Sequence, residues 1–216
     1  MASEKSRQKG RFIVFEGIDG SGKSTQAAYF AETLFLSDKR NTVVLTREPY
    51  DPENIREIRQ RLRQETDARA NAEKMAELYI ADRKKHVAEL ISPQLAAGVH
   101  VVSDRYELST IAYQSAQGLD IEDLFLRHQE LPVPDLTFFI DVPVEVAFQR
   151  TDRQEGKFEQ LEFQKELREK YFRAIKRAEQ KGQKIIIIDA KNFPPKKVAM
   201  KVRQEYAFSF PFICGD

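Results

Sequence analysis

Residues 12–25 read "FIVFEGIDGSGKST". An apolar run, Phe12 to Phe15, ends in a glycine-rich loop, and the loop opens onto helix-forming residues. Within it Gly17-Ile18-Asp19-Gly20-Ser21-Gly22-Lys23-Ser24 is G-x-x-x-x-G-K-S, a P-loop, with Thr25 next. The glycines let several backbone N–H groups converge on one anion. A helix starting there adds the positive end of its dipole. Lys23 supplies a point charge for the β- and γ-phosphates of a nucleotide, and the Ser24 hydroxyl can ligate Mg²⁺. Such a loop works only between a buried strand and a helix. It therefore points to an α/β fold before the rest of the chain is read.

The remainder agrees. Apolar runs at 11–16, 41–46, 98–104, 135–142 and 184–189 read as strands. The last holds four consecutive isoleucines, which predicts a strand covered on both faces. Helical spacing recurs over 23–36, 71–97 and 161–181. Glu166/Lys170 and Glu169/Arg173 stand four apart in the favourable order, so the third of these helices has a solvated face. Strand alternating with helix predicts a parallel sheet with right-handed crossovers. The 216 residues suffice for one core, expected from residue 11 onward after a flexible tail over 1–10. Thirty-five lysines and arginines against 34 acidic residues leave a net charge of +1, which gives no expectation of a nucleic-acid or membrane-surface partner. Cys214 is the sole cysteine, so no intrachain disulfide forms. The polar start and the lack of a long apolar run predict a soluble, cytoplasmic protein. His86, His100 and His128 show no ligand spacing with one another or with Cys214, so no zinc site is expected.

Other polar clusters fall at strand ends. "TREP" (46–49) follows the second run, and its Arg47 can hold an anion at the ligand-facing edge of a parallel sheet. Pro49 is a candidate for a cis bond. In "SDRYELSTIAYQ" (103–114), Asp104 ends the third run and can hold Mg²⁺ through water, while Arg105 offers a bidentate fork for phosphate. In "YIADRKKH" (79–86), Tyr79 and Arg83 share a helix face and can together meet a base. On spacing alone, tyrosine in the core and arginine in solvent is the simpler arrangement. In "RTDRQEGKFE" (150–159), Arg150, Arg153 and Lys157 crowd a polar loop that can close over transferring phosphates.

Taken together, "FEGIDGSGKSTQ", "TREP", "ADRKKHV", "SDRYELSTIAYQ" and "LEFQKELREKY" resemble the thymidylate kinase family in order and spacing, from about residue 11 to 190. Members phosphorylate dTMP with ATP. The resemblance implies a three-layer P-loop NTPase fold with a five-stranded parallel sheet, a short lid near 150–160 and a homodimer. It implies that Lys23, Ser24 and Thr25 hold ATP and that Asp19 contacts the acceptor's 3′-hydroxyl. Arg47 and Arg105 position the acceptor phosphate. Tyr79 stands where the family stacks a phenylalanine on thymine, and Arg83 hydrogen-bonds the base. Ser109, Thr110 and Gln114 line the base pocket, and Tyr113 crowds the 2′ position. Lys23, Arg105, Arg150 and Arg153 form the catalytic set.

Three departures stand out. Where many members continue "REP" with Gly-Gly-Thr, this chain has Tyr50-Asp51-Pro52, and Asp51 brings a negative charge toward the acceptor's expected position. Gly20 and Ser21 stand where one branch carries a basic residue in the loop, so the cation must come from the lid. The usual Asp-Arg pair at the lid's end reads Gly156-Lys157. The alternatives are a monophosphate kinase for dUMP or another base, and a P-loop ATPase or switch.

Overall fold

The computed structural model describes residues 9–64, 71–151 and 157–211. Arg153, Gly156 and Cys214, singled out above, lie outside the described residues. Five strands, β1 (Phe12–Glu16), β2 (Val43–Arg47), β3 (His100–Asp104), β4 (Leu136–Asp141) and β5 (Ile185–Asp189), form one sheet in the order β2-β3-β1-β4-β5. Every pairing is parallel, with Phe12 opposite Val101 and Ile13 opposite Leu136 across the two ladders of β1. The parallel α/β expectation holds.

β1 is the central strand, and Phe12, Ile13, Val14 and Phe15 are fully buried because side chains on both faces meet helices. On one face Phe15 and Phe138 pack against Phe30 of α1 (Lys23–Ser37), with α9 (Pro195–Ser209) beside it. On the other, Phe12 and Val14 meet Val87, Ile91 and Leu95, and Phe139 meets Tyr171 of α8 (Lys157–Gln180), which lies along α5 (Glu107–Ala116). The result is three layers, with a helix layer on each side of the sheet.

β5 corrects the expectation for the isoleucine run. It is an edge strand, and Ile187 is 45% exposed. An edge strand has a sheet neighbour on one side only. Gly10, placed in the expected tail, is buried instead, its N–H donating to the Leu95 carbonyl.

The long helix expected over 71–97 is present as α3 (Ala72–His86), a π-helical stretch (Val87–Ile91) and α4 (Ser92–Ala96). Pro93 explains the break, since it has no N–H to give the fourth carbonyl behind it, and the ladder widens ahead of it. Helices α2 (Pro52–Gln64), α6 (Ile121–Arg127), α7 (Val144–Gln149) and α9 complete the described elements. α2 begins where Asp51 accepts the N–H groups of Glu53 and Asn54, with Pro52 at the first position.

Candidate active site

The C-terminal ends of β1, β2 and β3 bring the sequence clusters to one edge, where open parallel sheets form their ligand crevices. From β1 comes the P-loop. Ile18 is buried among core side chains and anchors it, while its carbonyl accepts the Ser21 N–H at 3.1 Å. Gly20, at φ 82°, has no room for a side chain, because a Cβ there would lie 2.1 Å from the Ala147 carbonyl oxygen. Gly22 adopts the left-handed conformation (φ 92°) at the start of α1 and supplies no side-chain cap, and the Lys23 N–H makes a long 3.4 Å contact to Ser21 Oγ. Ser24 and Thr25 are exposed on the first turn. From across the loop Arg150, at the end of α7, donates from Nη1 to the Gly20 carbonyl at 3.3 Å.

Lys23 is nearly buried, its side chain 8% exposed, with Nζ 3.6 Å from Asp19 Oδ1. Burial, and next the Arg105 charge, lower its pKa from 10.5 to about 8. It stays cationic at neutral pH but holds a poorly solvated charge that an anion would satisfy. From β3, Asp104 stands next in line. It is 9% exposed, and its buried Oδ1 has no hydrogen-bond partner among the described residues. An orphaned carboxylate oxygen near Lys23, with an exposed Ser24 hydroxyl on the same loop as that lysine, suits a hydrated divalent cation.

Arg105 adopts φ 78°, rare for a residue with a side chain. Its N–H donates to the Phe15 carbonyl at 2.9 Å and its carbonyl accepts from Ser103 Oγ at 2.8 Å, which hold the backbone in place. The guanidinium pairs with Asp19 through Nη2, donates from Nη1 to Ser109 Oγ at 2.8 Å and Tyr171 OH at 3.2 Å, and lies 5.5 Å from the Tyr113 ring centre. Beneath it Glu16 is fully buried. The Glu16 carboxylate accepts from the N–H groups of Tyr106 and Ser109, from Ser109 Oγ at 2.6 Å and from Tyr171 OH at 3.3 Å. Ser109, expected to line the base pocket, has its hydroxyl engaged in this buried network.

Arg47 reaches the same edge from β2, exposed and with no side-chain ion pair or hydrogen bond among the described residues. Asp51 does not aim an unbalanced charge at it. The carboxylate caps α2, pairs with Lys85, and has its pKa lowered chiefly by that lysine. The Tyr50 and Asp51 N–H groups donate to Asp82 at 2.7 and 2.8 Å, and the Tyr50 ring stacks on His86 at 4.4 Å. Tyr50-Asp51-Pro52 is thus a clamp onto α3, and Glu48-Pro49 is cis.

The arrangement of Tyr79 and Arg83 reverses what spacing alone favours. Arg83 is the buried member, its side chain 2% exposed, and Tyr79 is half-buried. Glu48, four-hundredths exposed, explains this by pairing with Arg83 at 2.6 Å. Arg105, Asp19, Asp82 and Arg83 all act electrostatically on the Tyr79 hydroxyl, whose pKa is raised by burial first. Thr110 Oγ1 accepts from Arg83, and the buried Gln114 amide donates to Gln117 with its Oε1 unpartnered among the described residues. Glu16, Glu48, His128 and Tyr171 were not singled out from sequence as site residues. A buried ionisable residue beside a motif, such as Glu16 directly before Gly17, was the one available signal.

These groups give a loop suited to polyphosphate, a second cationic position at Arg47 and Arg105, and, on α3 and α5, a partly buried Tyr79, the Arg83 guanidinium bound to Thr110 and an unpartnered Gln114 amide oxygen. A family model described as thymidylate kinase matches residues 15–201. The thymidylate kinase of Desulfotalea psychrophila is 40% identical over 151 residues, 70% of this chain and 73% of that protein. The probable thymidylate kinase of Thermococcus onnurineus is 41% identical over 175 residues, 77% of this chain and 84% of the other. A crystal structure of thymidylate kinase from Ehrlichia chaffeensis superposes with a TM-score of 0.70 at 29% identity, covering 92% of this chain and 99% of that one. With strands, loop and matched span in agreement, this chain belongs to the thymidylate kinase family.

Proposed function

We propose that this protein transfers the γ-phosphoryl group of ATP to the phosphate of dTMP, giving dTDP and ADP, with the residues assembled above in the following roles. The observation that carries the reading is the pairing of a P-loop with a second cationic site at one sheet edge, because a hydrolase or switch has no use for a second anion site.

The loop from Gly17 to Gly22 wraps the phosphates with backbone N–H groups, and Lys23 neutralises their charge. Arg105, held by Asp19, Ser109 and Tyr171, and Arg47 from β2 take the acceptor phosphate. That phosphate is already anionic and needs no base. The protein's work is to hold two anions in line and screen their repulsion. Arg150, which reaches the loop at Gly20, adds positive charge where negative charge develops on the transferring group. Tyr79 stacks on the base, Arg83 hydrogen-bonds it, and Thr110, Tyr113 and Gln114 complete the pocket. Asp19 meets the 3′-hydroxyl.

Mg²⁺ fits the site through Ser24 and the unpartnered Asp104 oxygen, the latter through water. Held there with the nucleotide, the ion would supply Lewis-acid neutralisation of negative charge on the phosphates. The same reading makes the protein a cytoplasmic homodimer of single-domain subunits. No helix of the described residues is long and apolar enough to cross a membrane, and exposed Leu62 and Leu126 supply apolar surface for a partner copy.

The test is ADP formation with Mg·ATP against dTMP, dUMP, ribothymidine monophosphate, dCMP, dGMP and AMP, with a no-acceptor control. Preference for dTMP is expected. Preference for another acceptor overturns the base assignment and retains the kinase. ADP formation indifferent to every acceptor overturns the kinase reading in favour of an ATPase.

A further inference from the structure

Arg83 has five N–H groups, and four are taken within the protein. Nε donates to Glu48 Oε2 at 2.8 Å, and Nη2 donates to the Tyr106 carbonyl at 2.8 Å and Thr110 Oγ1 at 3.0 Å. Nη1 lies 2.7 Å from Nε2 of His128, a residue 2% exposed. An arginine only donates, so Nε2 must present its lone pair. The other ring nitrogen, Nδ1, lies 2.6 Å from the Leu124 carbonyl, which only accepts, so the ring proton sits there. The two contacts together admit one tautomer and one charge state, the neutral Nδ1–H imidazole. A single Nη1 N–H of Arg83 is left without a partner among the described residues.

We propose that His128 is a specificity-determining positioning residue: by accepting one Nη1 N–H, it fixes the Arg83 fork so that one donor, in one direction, is offered to the base of the acceptor. This rests on the reading that Arg83 meets that base. A fixed lone donor satisfies a ring carbonyl, as in a 4-oxo pyrimidine. It meets a 4-amino group donor against donor, so cytosine is rejected by an unpaired buried polar group rather than by shape. His128 never touches the nucleotide. It acts from α6's C-terminal end, 45 residues away in sequence.

The experiment compares dissociation constants for dTMP and dCMP in wild type, His128→Leu, His128→Gln and Arg83→Gln, with the KM for ATP as a control. His128→Leu is expected to narrow the dTMP/dCMP ratio about tenfold or more, the scale of one hydrogen bond to a charged group, with the ATP KM unchanged. His128→Gln, whose amide oxygen can accept from Nη1, is expected to restore most of the ratio. An unchanged ratio in His128→Leu while Arg83→Gln collapses it overturns the role of His128 alone. An unchanged ratio in Arg83→Gln overturns the base contact and this inference with it. Should His128→Leu fail to fold, ¹⁵N NMR of the wild-type ring decides. The expected spectrum has the proton on Nδ1 and an Nε2 signal that moves on adding dTMP, and a proton on Nε2 overturns the proposal.

Discussion

Replacing Lys23 by methionine should abolish turnover and at the same time stabilise the protein. The lysine is nearly buried, and its pKa falls from 10.5 to about 8, mainly through desolvation and then the Arg105 charge. At about 1.4 kcal/mol per pH unit, keeping the proton in the folded state costs about 3 kcal/mol relative to the unfolded chain. Methionine fills the same space without that charge, and Asp19 keeps Arg105 as its partner. Relief of about 1–3 kcal/mol is expected at pH 7, or several degrees of Tm at about 2–4 °C per kcal/mol for a chain of this size. The gain has a pH signature. Above about pH 8 the folded protein releases the proton while the unfolded chain holds it to 10.5. Wild-type stability therefore rises through that window and the advantage of the variant fades. Urea titrations of both proteins at pH 7 and pH 10, with ADP release assayed alongside, measure this. A folded Lys23→Met protein less stable than wild type at pH 7 would refute the argument that the loop holds a costly charge for an anion to satisfy.

Other outcomes follow from the same geometry. Gly20→Ala forces a Cβ to within 2.1 Å of the Ala147 carbonyl oxygen at φ 82°, so loss of at least about 2 kcal/mol of stability and of measurable ATP binding by calorimetry is expected. Arg150→Ala removes an exposed side chain with one 3.3 Å contact to the loop, so kcat should drop by roughly 10²-fold while the urea midpoint stays in place. His128 has its pKa pushed from 6.5 down to about 3 by burial and then by Arg83. Between those values the unfolded chain binds the proton and the folded one does not. Wild type should therefore lose about 1.4 kcal/mol per pH unit relative to His128→Gln as pH falls from 6.5 toward 4, and parallel stability curves would exclude a neutral, buried ring.

Features that depend on neighbours along the chain were readable before folding. The P-loop was legible because its chemistry needs eight consecutive residues, Gly17 to Ser24. The five strands were legible because each carries an apolar run, and Arg47, Asp104 and Arg105 were legible as site candidates because each ends or follows such a run. Tertiary structure decided whatever depends on distant partners. Four isoleucines read as a strand covered on both faces, yet β5 took the edge with Ile187 exposed, since sheet order is set by crossover packing and not by the strand's own residues. Asp51 read as a charge facing the acceptor, yet Lys85, 34 residues on, and the first turn of α2 absorb it. Arg83 read as a solvent residue on spacing, because a buried guanidinium is tolerable only where donors are matched, and its partners Glu48, Tyr106 with Thr110, and His128 come from three separate segments. The support of Arg105 by Glu16 and Tyr171 joins residues 155 apart. Local periodicity carries no record of such meetings, and a fixed donor geometry exists only once the fold has closed around it.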